Sequence, residues 1–272
     1  MPTPPPEQNA DSIQTVFLCE DTPDGIFTAV YDAWDSGLGH RNVTLALNGC
    51  FNYSLFTRYR SVPTDYEKSF KVARSLENKL SRQVFATAYY AALSESPDKA
   101  DAIYRFLVLA FRHGPKIVSM LGLPEVQSVF ALRRKVGNEA HYFREFIRFS
   151  DTGSGILFGK IHPKCNVLPL VAPLFSDRMP SETWALLDEA RNMAVFHPAD
   201  QEWFLTSVSE DAPESESFSE YRILKHTNSE DQYRSLWKVF HKTIAIKERI
   251  NPRCQRNQLP LWYRENMTEF LD

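Results

Sequence analysis

TVFLCEDTPDGIFTAVYDAW, Thr15–Trp34, changes period in the middle, and that change decides the fold class. Thr15–Glu20 is short, apolar and β-rich, the pattern of a strand. Asp21–Gly25 supplies a turn. Ile26–Trp34 then places Phe27, Val30, Tyr31 and Trp34 at helical spacing. Working outward, Asn42–Leu47 and Leu55–Val62 read as two further strands. A helical block follows over Asp65–Leu93, with Thr64 or Asp65 as its N-cap. Tyr66, Phe70, Ala73, Leu76, Leu80, Val84 and Ala91 form its apolar side. Lys99–His113 repeats the stripe with Ile103, Phe106, Leu107, Ala110 and Phe111, and Gly114-Pro115 stops it.

Pro124–Phe149 is the next helix, giving way to a strand near its end. Ile147–Ser150 and Gly155–His162 are joined by DTGSG, a hairpin signal. Asn166–Met179, with two prolines, reads as a loop into a short helix. Thr183–Asp188, Met193–His197 and Glu202–Val208 are short strands. Ser229–Arg249 is the last helix, with Tyr233, Leu236, Trp237, Phe240 and Ile244 facing the core. Asn251-Pro252 ends it, because a residue before proline is driven out of the α region. Strands and helices come in blocks, without the regular alternation of a doubly wound sheet. The class is therefore α+β, with mixed helices and short, mostly antiparallel strands in one compact unit.

Residues 1–14 read as a proline-rich tail, and 15–272 as one domain, with two lobes at 15–150 and 151–272 as the alternative. Residues 209–220 hold five acids and no base, the composition of a mobile insertion. The chain has 272 residues, 43% of them hydrophobic and 24% charged, which is ordinary for a globular protein. Cys19, Cys50, Cys165 and Cys254 are scattered, with no CxxC and no paired Cys/His spacing, so the sequence predicts no metal and no cofactor. No apolar run has transmembrane length and the start lacks the pattern of a signal peptide. A cytoplasmic protein with no membrane partner is expected. Gly153–Lys160 looks like a phosphate loop only superficially, since it runs into a strand rather than a helix.

Two stretches carry candidate chemistry. From Arg234 to Arg264 there are eight Lys/Arg against one Asp/Glu, in a chain of net charge −3. Such a local excess suits a phosphate-facing surface. Lys238, Lys242, Arg249, Arg253 and Arg256 would neutralise phosphates, while Asn251, Gln255, Asn257 and Gln258 would supply hydrogen bonds. Trp262 and Tyr263 either stack on an unpaired base or seal the core. In the Pro124–Phe149 helix, Arg134, Asn138, His141, Glu145 and Arg148 share one face. That face is either solvated or lines a cleft, to which Asn166 and Arg178 would add. An enzyme would draw on His141, His162, Asp177, Asp188 and Glu139, with Arg148 or Arg178 stabilising negative charge. Asp188 with Arg191 reads equally as a turn with a local ion pair.

Several motifs in order carry a resemblance. They are GIFTAVYDAW at Gly25–Trp34, RKVGNEAHYFREFIRF at Arg134–Phe149 and I-x-P-x-x-NVLPLVAP-x-F-x-x-R at Ile161–Arg178. W-x-x-x-D-x-x-R follows at Trp184–Arg191, then Y-x-x-LWK at Tyr233–Lys238 and I-A-I-K-E-R-x-NP-x-x-Q-R at Ile244–Arg256, with Pro260 and Tyr263 closing. From about Val16 to about Met267 the chain resembles a bacterial family of probable DNA metabolism proteins, domain of unknown function 4130. The resemblance implies a partner encoded alongside, a radical SAM protein with helix-hairpin-helix elements. In other members the domain is joined to a module similar to uracil-DNA glycosylase. Leu174 stands where the family usually has a histidine, and Arg264 where an aromatic is common. The expectation is a DNA-binding accessory protein in DNA repair or modification. The alternatives are a DNA-processing enzyme with an acid/base site around His141 and Arg178, and a protein-interaction scaffold.

Overall fold

The computed structural model describes residues 13–153, 155–208, 232–265 and 267–270. The acidic stretch 209–220 and nearly all of the proline-rich tail lie outside these residues. The chain divides into two compact units, Met1–Val136 and Gly137–Asp272. The division falls inside a helix, Pro124–Phe146. Helices and sheets mix as the α+β reading expects.

The first unit opens with β1 (Gln14–Cys19) and α1 (Pro23–Asp35). Thr22 caps α1: its hydroxyl accepts from the Gly25 N–H at 2.9 Å, and Pro23 occupies the first turn, where no N–H is needed. Gly25 cannot carry a side chain, because a Cβ there would lie 2.7 Å from the Glu20 carbonyl oxygen. β2 (Val43–Leu47) and β3 (Thr57–Ser61) pair with β1 on either side, giving the order β2-β1-β3. Both pairings are parallel. The second sheet adds one more parallel pair and three antiparallel ones, so parallel pairing is as frequent as antiparallel among the described strands. Strand direction leaves no trace in side-chain alternation, which has period two either way.

The expected Asp65–Leu93 helix is two helices, α2 (Tyr66–Lys79) and α3 (Arg82–Ala92). Ser81 is the reason. Its hydroxyl accepts from the Val84 N–H at 3.2 Å, and a serine that caps a new helix cannot continue the old one. Asp65 caps α2, accepting from the Glu67 and Lys68 N–H groups. Tyr66 and Phe70, expected in the core, are largely exposed, while Leu76, Val84 and Ala91 are fully buried. α4 (Lys99–His113) has the expected bounds, and Gly114 takes φ 72° at its end. A 3-10 turn, Gly114–Ser119, leads toward α5 (Pro124–Phe146).

In the second unit the strand order is β4-β5-β6-β7-β8. β4 is short, Ser150–Asp151, and meets β5 (Ile156–Ile161) in the expected hairpin, where the Asp151 carboxylate accepts from the Gly153 N–H at 2.8 Å. Between β5 and β6 (Thr183–Asp188) the chain passes through α6 (Leu168–Arg178), and those two strands are parallel. This is one βαβ unit inside an otherwise antiparallel sheet completed by β7 (Met193–His197) and β8 (Phe204–Ser207). Trp184 anchors the core: it is fully buried and stacks on His197 at 5.1 Å between ring centroids. Phe149 and Phe175 meet it edge-on. Three helices close the chain: α7 (Gln232–Ile244), α8 (Pro252–Gln258) and α9 (Leu261–Arg264). Short 3-10 turns stand at Lys247–Arg249 and Thr268–Phe270.

Candidate nucleic-acid interface and a histidine–carboxylate cluster

The basic segment runs from α7 through the 3-10 turn into α8. Lys242, Arg249, Asn251, Arg253, Gln255 and Arg256 are exposed, and Lys238 is half-buried. Asn251 is the N-cap of α8, its side chain accepting from the Cys254 N–H at 3.0 Å, so that acceptor is already engaged. Arg253 and Arg256 are three residues apart on α8 and share a face. The Arg256 Nε donates to the Pro252 carbonyl at 3.2 Å, and the side chain is exposed. Among the described residues, no carboxylate forms an ion pair with Lys238, Lys242, Arg249, Arg253 or Arg256.

The apolar side of α7 departs from the expectation. Leu236, Phe240 and Ile244 are about half exposed or more, with Val239 beside them, so this side is not sealed into the core. Trp237 is partly held: Arg148 lies over its ring at 5.8 Å. Arg148 also donates to Glu269 at 2.8 Å. Burial pushes the Glu269 carboxyl up, but hydrogen bonds from Arg148, its own backbone and Trp237 outweigh that and hold it below the usual range.

The two closing aromatics divide their roles. Tyr263 packs on Tyr142, Phe143 and Phe146, with centroid distances of 4.9, 5.0 and 6.2 Å. Burial, with Glu139, Tyr142 and Cys165 nearby, pushes its phenol well above the usual value. Tyr263 is therefore a half-buried residue held by ring packing rather than a free stacking platform. Trp262 is half exposed, but its N–H donates to the His162 carbonyl at 3.1 Å and the Lys164 ammonium lies 5.2 Å from its ring centre.

His162 itself sits among carboxylates. Its Nε2 contacts Glu189, and its Nδ1 lies 3.7 Å from Glu265. That Nδ1 is buried and makes no hydrogen bond among the described residues. Lys160 stands 3.6 Å from Glu189. The segment just after His162 is fixed from two directions. Glu139, 7% exposed, accepts from the Lys164 and Cys165 N–H groups, both at 2.8 Å. Arg191 donates to the Pro163 carbonyl at 3.1 Å and to the Lys164 carbonyl.

Asp188 is fully buried and holds that arginine at 3.0 Å while accepting from the Ala190 and Arg191 N–H groups. Burial pushes its carboxyl up against the pull of Arg191. Each of these contacts is a structural tie. His141 is exposed, with Tyr142 as its ring neighbour at 6.3 Å and no hydrogen bond or ion pair among the described residues. Asp177 is exposed, and Arg178 lies over Phe175 at 5.6 Å. Arg134 belongs to the first unit. The Asn166 side-chain oxygen Oδ1 is buried without a partner among the described residues. No hydrogen bond or ion pair joins Arg134, Arg148, Asn166 and Arg178 to one another among the described residues.

The model of one family, described as domain of unknown function 4130, matches residues 97–269. The chain belongs to that family. The matched range takes in α4, α5, the whole second sheet and the basic segment, while Gly25–Trp34 precedes it. No curated protein matches the chain. Glu189 and Glu265, which make His162 the centre of a cluster, went unnoticed in the sequence. The one available signal was Glu189 beside Asp188, and only a known turn geometry aims it at His162.

Proposed function

We propose that this protein is a DNA-binding accessory in DNA repair or modification, acting in the cytoplasm beside a radical SAM protein, and that Lys238–Arg256 is its DNA-contacting segment. The observation that carries the reading is the run of exposed cations, Lys242, Arg249, Arg253 and Arg256, with no carboxylate partner among the described residues, in a protein of net charge −3. A guanidinium already paired to a carboxylate exchanges one anion for another when phosphate arrives; an unpaired one gains the whole contact. The exposed side of α7 supports a protein partner, since exposed apolar surface next to charge is how such contacts begin.

The test is anisotropy of a labelled oligonucleotide across a salt series. Replacing Arg249, Arg253 and Arg256 together by alanine weakens binding for all sequences alike. It also lowers the slope of log affinity against log salt by about 3, roughly one for each phosphate that is no longer neutralised. An unchanged affinity and slope remove this segment from the interface. Co-purification with a radical SAM protein encoded alongside tests the partner, and separate elution of the two with and without DNA counts against it.

A second reading, DNA processing, is favoured by one observation: His162 contacts Glu189, the arrangement that orients an imidazole for acid/base work. Lesion-bearing DNA processed at the same rate by His162→Ala and by wild type would rule that residue out.

A further inference from the structure

In the first unit, α1 and α2 leave an open groove of about 500 Å³ between their C-terminal halves, closed at one side by the end of α4. Its walls are Tyr31, Trp34 and Phe111. Trp34 and Phe111 are both more than a third exposed, and Trp34 is the one exposed tryptophan of the first unit. Along α2, Lys71, Ser75 and Lys79 follow at intervals of four, so they line one side of the groove. The two lysines are separated by about 12 Å along the helix axis.

We propose that this groove binds a small aromatic anion of the nucleoside monophosphate class, with its ring against Trp34 and its phosphate on the α2 lysines. The volume lies within the range of small-ligand sites. The ring wall is held in place before any ligand arrives: Trp34 meets His40, Phe111 and Tyr104 edge-on, at 4.6, 5.2 and 6.2 Å between centroids. His40 is in turn bonded to the Tyr104 hydroxyl at 2.9 Å. A fixed indole face gives stacking without a large ordering cost. Charge chooses the ligand's sign. Lys68 is already paired with Asp32 at 2.7 Å, but Lys71 and Lys79 have no ion pair among the described residues. Asp35 is the one carboxylate on the lining, against two ammonium groups, so the rim is net positive and favours an anion. This site is independent of the DNA reading, because it lies in the first unit and uses none of the C-terminal arginines.

The test uses the full chain with adenosine monophosphate, adenosine and inorganic phosphate as separate probes. Calorimetry gives affinity, and the Trp34 indole N–H resonance, assigned with Trp34→Phe, gives location. Adenosine monophosphate is expected to bind with millimolar affinity or better and to move that resonance, with adenosine and phosphate each at least about tenfold weaker. The double variant Lys71→Glu, Lys79→Glu, altered only at exposed positions, is expected to lose at least about tenfold with unchanged thermal unfolding. The proposal is overturned by an unmoved Trp34 resonance at about 10 mM nucleotide, by equal binding of adenosine, or by full binding to the charge-reversed variant.

Discussion

Replacing Glu139 tests whether the turn after His162 is held by one buried carboxylate. Its two oxygens accept from the Lys164 and Cys165 N–H groups at 2.8 Å each, and the side chain is almost wholly out of water. Glu139→Ala leaves both donors unpaired. An orphaned buried donor costs about 1–3 kcal/mol. Lys164 N–H is partly buried and Cys165 N–H buried, so the first sits near the low end of that range and the second near the high end. Some of the loss is recovered because a carboxylate no longer has to be desolvated. The expected net is a destabilisation of about 2–4 kcal/mol. Glu139→Gln keeps one acceptor and presents an NH2 group to the other donor, for about 1–2 kcal/mol. Urea unfolding with an unchanged m-value measures both. Amide exchange at Cys165 reports the same bond locally, and it should quicken in both variants. An alanine variant within about 0.5 kcal/mol of wild type, or a glutamine variant less stable than alanine, refutes the clamp.

Two further outcomes follow from buried groups. Burial, with Asp21 nearby, pushes the Cys19 thiol up to about 12, so at pH 8 only about one part in ten thousand is thiolate. Cys165 is also buried whereas Cys50 and Cys254 are exposed, so a thiol reagent should titrate two cysteines quickly and the others only on unfolding. Fast reaction of a third thiol in the native protein contradicts this packing. For Asp188, burial raises the folded-state value above 3.8. Between those two values the folded chain holds a proton that the unfolded chain releases. Lowering the pH through that window should therefore stabilise wild type relative to Asp188→Asn, as read from paired denaturation curves. A constant difference across the window disproves a raised value.

How much of this was legible in the sequence depended on whether the deciding force was local. α4 has its expected bounds because its apolar stripe, its final cations and Gly114-Pro115 all act within a turn or two of the backbone they control. The α2–α3 break was hidden because the apolar stripe runs on through Leu80 and Val84, while one serine hydroxyl decides the cap. The parallel direction of β2 and β3 depends on how the chain crosses β1, which no residue pattern records. At the candidate interface, the excess of cations was plain and the spent acceptor of Asn251 was not. Amphipathic spacing in α7 marked the side able to be buried, but whether anything covers Leu236 and Phe240 depends on the rest of the chain. Tyr263 and Trp262 are adjacent in sequence, yet only Tyr263 meets the α5 rings.

The central place of β1 bears on synthesis. It is made before both of its partners, β2 and β3, the second of which comes only with Thr57–Ser61. An apolar strand with both edges unpaired must therefore leave the ribosome and wait about forty residues before its second side is covered. Arg58 and Arg60 on the incoming edge strand then leave the finished sheet a charged border against a second copy. The growing chain has no such border, so for that interval the nascent polypeptide is the form of this molecule most exposed to mispairing.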